Sequence, residues 1–124
     1  MGTGTDIIEI ARIRASIERY GARFVERIFT PGEIAYCKRK KNAAESYAGR
    51  FAAKEAAAKA LGTGISRGVT WREIEVVRRP GERPTLQLHG RAAVRAATLG
   101  AMAASVSISH SRELALATVL LESA

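Results

Sequence analysis

The chain has 124 residues, 47% apolar and 26% charged, so one compact domain spanning residues 1–124 is expected, not a disordered or multidomain chain. Twenty Lys and Arg against twelve Asp and Glu leave a net charge of +8, which favours polyanionic partners: nucleic acid, anionic lipid, phosphorylated metabolites or an acidic protein. A lone cysteine, Cys37, excludes an intrachain disulfide, no apolar run approaches the ~20 residues of a membrane span, and Asp6 and Glu9 interrupt the region where a secretion signal would be apolar, so a soluble cytoplasmic protein is expected.

In chain order, MGTGTDIIEI reads as a short strand opened by Asp6 after a glycine-containing start. From Ile10 to Ile28 the apolar residues Ile10, Ile13, Ile17, Tyr20, Phe24 and Ile28 recur at helical spacing, with Gly21 breaking or bending the helix. Arg12, Arg19, Arg23 and Arg27 follow a similar period on another face, as a basic stripe or an ordinary solvated surface. FTPGE supplies Thr30 as N-cap, Pro31 at the first helical position and Glu33 to close a capping box, which predicts a helix to about Lys38. The run KRKKN then reads as an exposed loop.

An alanine-rich helix is predicted over residues 44–61, closed by Gly62. REIEVVRRPGERPTLQLHG predicts two strands around a Pro-Gly turn, a helix over residues 91–99 follows, and ASVSISHSRELALATVLLE predicts a last pair of strands joined at HSRE. His89 reads as structural, and the Gly62-Thr63-Gly64 run is too short to be a nucleotide-binding fingerprint.

The chemistry concentrates on the alanine-rich helix. At about 100° per residue, Phe51, Glu55, Lys59 and Gly62 share an arc of about 80°, while Arg50 and Lys54 lie on the adjoining face. Taken alone, Glu55 and Lys59 make an i, i+4 ion pair worth roughly 0.3–0.5 kcal/mol if exposed. Asp6 is the other carboxylate that could face the helix, and two carboxylates suit magnesium, which completes its shell with water and phosphate oxygens; their sequence separation does not establish proximity. Arg50, Lys54 and Lys59 would then meet phosphate oxygens, with His110 as a further donor.

GTDIIEIARI at 4–13, GRFAAKEAAAKALGTG at 49–64 and SISHS at 107–111 together resemble the small bacterial holo-acyl-carrier-protein synthases of the 4′-phosphopantetheinyl transferase superfamily, over nearly the whole chain. The resemblance implies an α+β fold with a small antiparallel sheet packed against helices. It further implies magnesium-dependent transfer of 4′-phosphopantetheine from coenzyme A to a serine of apo-acyl carrier protein, releasing adenosine 3′,5′-bisphosphate. On that likeness Asp6 and Glu55 match the metal ligands, Lys59 the pyrophosphate lysine, and Arg50 and His110, with Ser109 beside them, the 3′-phosphate site. Asp6, Glu55 and Lys59 form the expected catalytic set, Glu55 being preferred as base; Arg50, Lys54, Lys59, Gly62, Ser109 and His110 form the coenzyme-binding set. A homotrimer with sites shared between subunits is implied, as is a docking face for the acidic carrier protein made by Arg12, Arg19, Arg23 and Phe24. Larger relatives carry an acidic residue where this chain has Ile8, leaving two protein ligands. The competing reading is a small basic nucleic-acid-binding module without catalytic activity; with three Phe, three Tyr and one Trp the chain has few aromatics for stacking on bases.

Overall fold

The computed structural model describes residues 2–65 and 67–123. The elements run β1 (Gly2–Glu9), α1 (Ile10–Tyr20), α2 (Ala22–Ile28), α3 (Pro31–Lys38), α4 (Ala43–Leu61), a 3-10 turn (Trp71–Glu73), β2 (Ile74–Val77), β3 (Thr85–Leu88), α5 (Gly90–Thr98), β4 (Ala103–His110) and β5 (Leu114–Glu122). The class is α+β, as the motifs imply. Among the described residues, no helix is long and apolar enough to cross a membrane.

Local chemistry sets most boundaries. Gly21 divides α1 from α2. Thr30 caps α3 through the expected box: its side chain accepts from the Glu33 N–H, while Glu33 Oε1 accepts from the Thr30 N–H at 2.8 Å. Helix α4 ends at Gly62, whose φ of 77° is the left-handed conformation that favours glycine, and Arg95 Nε closes the same end by donating to the Leu61 carbonyl at 2.9 Å.

One sheet has the order β1-β5-β4, antiparallel throughout, and β2 pairs with β3 as a separate hairpin. Along β5 the alternate residues Ala115, Ala117, Val119 and Leu121 are buried, and this inner face packs on α4. Helix α4 is the centre of the molecule, touching β1, β5, β4, α1, α3, α5 and β2. It is buried on nearly every side, and alanine fills most of its buried positions over residues 52–60, where close neighbours leave little room; Tyr47, Arg50, Lys54 and Leu61 are the larger side chains it buries. A second cluster, with Ile10, Ile13, Val25, Ile28, Phe29 and Tyr47, holds α1–α3 to the other end of α4. Cys37 lies in that cluster, where burial pushes its thiol up to about 12, so it is inert packing.

The N-terminal strand departs from expectation. It begins at Gly2, not at Asp6, and pairs with β5 along its whole length from Gly2 opposite Leu121 to Glu9 opposite Leu114. Gly2 and Gly4 are therefore interior strand residues, and the reason is close approach to α4. A methyl group on Gly4 would overlap the carbonyl oxygen of Ala56, and one on Gly2 would sit 2.6 Å from that of Ala60. Both obstructing atoms are helix backbone, which cannot yield as a side chain would.

Gly4→Ala is accordingly expected to cost on the order of 1–3 kcal/mol, by forcing β1 off the helix. Urea unfolding of the variant, showing a midpoint lowered at unchanged m-value, checks this.

Candidate active site

Two side-chain clusters emerge from this framework. In the first, successive glycines of β1 track α4 toward its N-terminus, Gly2 against Ala60 and Gly4 against Ala56, so Asp6, next on the same face, arrives beside Glu55. Asp6 Oδ1 accepts from Lys59 Nζ at 2.9 Å, and the same ammonium donates to the Thr5 carbonyl at 3.1 Å. The i, i+4 pairing of Glu55 with Lys59 is thus not the contact formed: Lys59 reaches across to the strand, and Glu55 has no salt bridge among the described residues. Burial pushes the Glu55 carboxyl above its ordinary 4.5, the Asp6 carboxylate raises it further, and Lys59 opposes them in part.

These groups fit a hard divalent cation. Two carboxylates that repel each other, with an ammonium balancing one of them, supply the oxygen donors magnesium takes while leaving other positions for water and phosphate. Among the described residues no third His, Cys, Asp or Glu joins them.

The second cluster surrounds Arg50. This side chain is buried, with its guanidinium carbon 4.0 Å from the centroid of the Tyr36 ring and its Nε without a hydrogen-bond partner among the described residues. It lines a cavity of about 150 Å³ with Tyr36, Glu45, Arg78, Ile108 and His110. Burial alone would raise the Tyr36 phenol, but hydrogen bonding to Lys40 and the Arg50 charge bring it below its ordinary 10.0. His110 is the last residue of β4, not a turn residue, and its Nε2 lies 3.2 Å from Glu45 Oε1. A buried arginine with an unused donor beside two more basic groups is suited to a phosphate. Ser109 is exposed on the opposite face of β4 from Ile108, and Gly62 is exposed at the end of α4.

One expected coenzyme-binding residue is corrected. Lys54 is fully buried and cannot reach a bound phosphate: its ammonium lies 2.7 Å from Glu33 Oε1 and donates to the carbonyls of Ile74 at 2.5 Å and Trp71 at 3.0 Å. Burial lowers its pKa and the Glu33 carboxylate opposes that shift. All three ammonium protons are used inside the fold. Sequence spacing put Lys54 next to Glu55 without showing that α3 and β2 cover that side of the helix.

Arg12, Arg19 and Arg23 are exposed on α1 and α2, while Phe24 is half-buried. Arg23 and Phe24 line a groove of about 500 Å³ with Tyr20, Arg27, Phe51 and Trp71, and Arg19 stacks over Tyr20 at its rim, 5.3 Å from the ring centroid. Phe51 and Trp71 form its floor as a stacked pair with centroids 4.8 Å apart. Sequence reasoning did not single out Trp71, Tyr36 or Arg78; Tyr36 lies within α3, Trp71 opens the 3-10 turn and Arg78 follows β2, and residue type was their only signal, since local spacing does not show which long-range site each one meets.

The family model for the 4′-phosphopantetheinyl transferase superfamily matches residues 2–119. This chain belongs to that superfamily. Among curated relatives, the holo-[acyl-carrier-protein] synthase of Koribacter versatilis (strain Ellin345) is 56% identical over 98% of each chain, and that of Solibacter usitatus (strain Ellin6076) is 53% identical over 98% of each. Among solved structures, the Helicobacter pylori holo-[acyl-carrier-protein] synthase in complex with coenzyme A superposes with a TM-score of 0.85 at 35% identity, covering 97% of this chain and 99% of that one. The holo-(acyl-carrier-protein) synthase of Bacillus anthracis str. Ames, in complex with CoA (3′,5′-ADP), gives 0.81 at 39% identity, covering 99% and 96%. The phosphopantetheinyl transferase fold is therefore built here.

The raised Glu55 pKa has a sign that can be checked without metal. A carboxyl whose folded pKa exceeds its unfolded value stabilises the fold only while protonated, and stability is lost as pH rises from about 4.5 through the raised value. In metal-free buffer Glu55→Gln is expected to melt higher than the parent at neutral pH, with the difference vanishing at acid pH. Thermal melts across that range measure it; a variant that melts lower at neutral pH contradicts the sign.

Proposed function

We propose that this chain transfers the 4′-phosphopantetheine arm of coenzyme A to the serine hydroxyl of an apo-acyl carrier protein, with magnesium, at sites completed between subunits. The observation that carries the reading is the convergence of Asp6, Glu55 and Lys59 from a strand and a helix far apart in sequence, in a chain related to holo-[acyl-carrier-protein] synthases over nearly its whole length. The reaction forms a bond from the serine oxygen to the β-phosphorus of coenzyme A and breaks the bond from that phosphorus to the bridging oxygen. Adenosine 3′,5′-bisphosphate leaves, and the serine proton must go to a base.

Each residue has a part that its surroundings support. Asp6 and Glu55 would hold the magnesium, which when bound would neutralise the diphosphate and polarise it toward attack. Lys59 is half exposed and held at Asp6, where its ammonium can turn to a phosphate oxygen as charge develops there. Glu55, whose pKa in the metal-free protein is raised by burial and by Asp6, would accept the serine proton on a carboxylate oxygen. Arg50 and His110 would bind the 3′-phosphate, and Arg50 Nε has a donor to give.

The trimer and the shared site have support of their own. The outer face of the β1-β5-β4 sheet presents Ile7, Leu114, Leu116 and Leu120 to solvent, an apolar patch of the sort a monomer rarely leaves open. Its cross-strand pairing of Ile7 with Leu116 makes that patch continuous. The Arg50–His110 cavity, moreover, is lined by neither Asp6 nor Glu55, so a second copy would complete each site. The groove beside Arg19, Arg23 and Phe24 offers the carrier protein cationic edges around an apolar floor, which suits an acidic helical partner. A nucleic-acid-binding module lacks a comparable basis: of the aromatic residues only Tyr20 is exposed.

Incubation with apo-acyl carrier protein, coenzyme A and magnesium should add the mass of the arm to the carrier, and Glu55→Gln should slow this by at least ~100-fold. No mass gain with several carrier proteins overturns the proposal. Subunit sharing has a separate signature: Glu55→Gln and His110→Ala chains, each impaired alone, should regain up to about a quarter of parental activity when unfolded and refolded together, because some interfaces then pair two intact halves. Strictly additive residual activity would place each site within one chain.

A further inference from the structure

Glu55 is functional only if α4 presents it to Asp6, and α4 is poorly equipped to fix its own rotation. Between Phe51 and Leu61 every buried side chain of this helix is alanine except one. Alanine surfaces are nearly alike on all sides, so packing along this stretch discriminates only weakly against a slip by one residue, about 100° and 1.5 Å, that would turn Glu55 away from the strand; the larger buried side chains Tyr47, Arg50 and Leu61 lie beyond its two ends. The exception is Lys54.

We infer that the buried Lys54–Glu33 pair is a positioning device that fixes the rotation and height of α4, and thereby holds Glu55 against Asp6. The inference rests on the reading of those two carboxylates as the metal pair. Its basis is complete mutual satisfaction. The Lys54 ammonium has three acceptors, Glu33 Oε1 at 2.7 Å and the carbonyls of Trp71 and Ile74. Glu33 is itself fixed, by the Thr30 N–H at Oε1 and by the Val76 N–H at Oε2, both at 2.8 Å. Thus α4 is tied to the cap of α3, to the 3-10 turn and to β2 at a single point, one residue from Glu55. On the other side of the helix the glycines of β1 lie on the Ala56 and Ala60 carbonyls. A displaced ammonium would find none of these acceptors, and an unpaired charge in this core is strongly disfavoured, so only one register is allowed. Buried ionic groups seldom add net stability over apolar replacements, and registry is their best-attested use. Lys54 and Glu33 act through Glu55 and touch neither substrate nor metal.

The test is calorimetric titration of magnesium into the protein holding coenzyme A, for the parent, Glu33→Asp and the charge-free pair Lys54→Met with Glu33→Gln, with coenzyme A binding measured separately without metal. Magnesium affinity should fall at least tenfold in the pair and severalfold in Glu33→Asp. Coenzyme A binding should change less than twofold, since neither Lys54 nor Glu33 lines the Arg50–His110 cavity. In turnover, the magnesium concentration for half-maximal rate rises and kcat falls while the coenzyme A KM stays. Glu33→Asp, shortened by one methylene, decides the matter if the pair does not fold. Unchanged magnesium affinity in a folded variant overturns the inference, as does a parallel loss of magnesium and coenzyme A binding that tracks the melting temperature. Glu55→Gln run alongside separates the two layers: if it binds magnesium like the parent, the carboxylate-pair reading has failed and not the positioning role.

Discussion

The contact on which the rest depends is the one between strand β1 and helix α4, where two glycines let a strand backbone rest on helix carbonyls. Any side chain at Gly4 would hold the two apart. Because the strand continues past Gly4 on the same side, the next residue facing the helix is Asp6, and the approach that leaves no space for a methyl group there delivers a carboxylate beside Glu55 and Lys59. Proximity of the charged groups follows from the absence of side chains two residues earlier.

The same helix serves three purposes through three groups of side chains. It carries Glu55 and Lys59 toward β1, carries Arg50 toward Tyr36 and His110, and buries Lys54 against Glu33. Alanine fills most of the intervening positions of a helix that touches seven other elements. The cost is a weakly specified register, which the buried ion pair offsets. The charges are therefore spent differently: Lys54 is consumed within the fold, Arg50 retains an unused donor, and Lys59 stays near the surface with a carboxylate it can leave.

Much of the architecture was legible in the sequence where a local rule applied. Thr30, Pro31 and Glu33 announced α3, Gly62 announced the end of α4, and the alternation in SVSIS and LALATVLL announced β4 and β5. The carboxylate pair was legible only through the resemblance of separated motifs, since spacing does not bring residue 6 to residue 55. What sequence reasoning misjudged depended on long-range packing: Gly2 and Gly4 looked like a lead-in and lie inside a strand, and Lys54 looked like a phosphate ligand because the cover over its side of α4 comes from α3 and β2. The capping box was recognised, yet its glutamate also takes Lys54 and the Val76 N–H, two partners that no local pattern encodes.

The central claim, that Asp6 and Glu55 converge on one cation beside the coenzyme's diphosphate, is most directly tested by paramagnetic broadening of side-chain carboxyl carbon signals, with manganese added below stoichiometry to the protein holding coenzyme A. The account predicts that the Asp6 and Glu55 signals vanish together, before those of Glu73, Glu75 and Glu113. Survival of either one while another carboxylate broadens would contradict it.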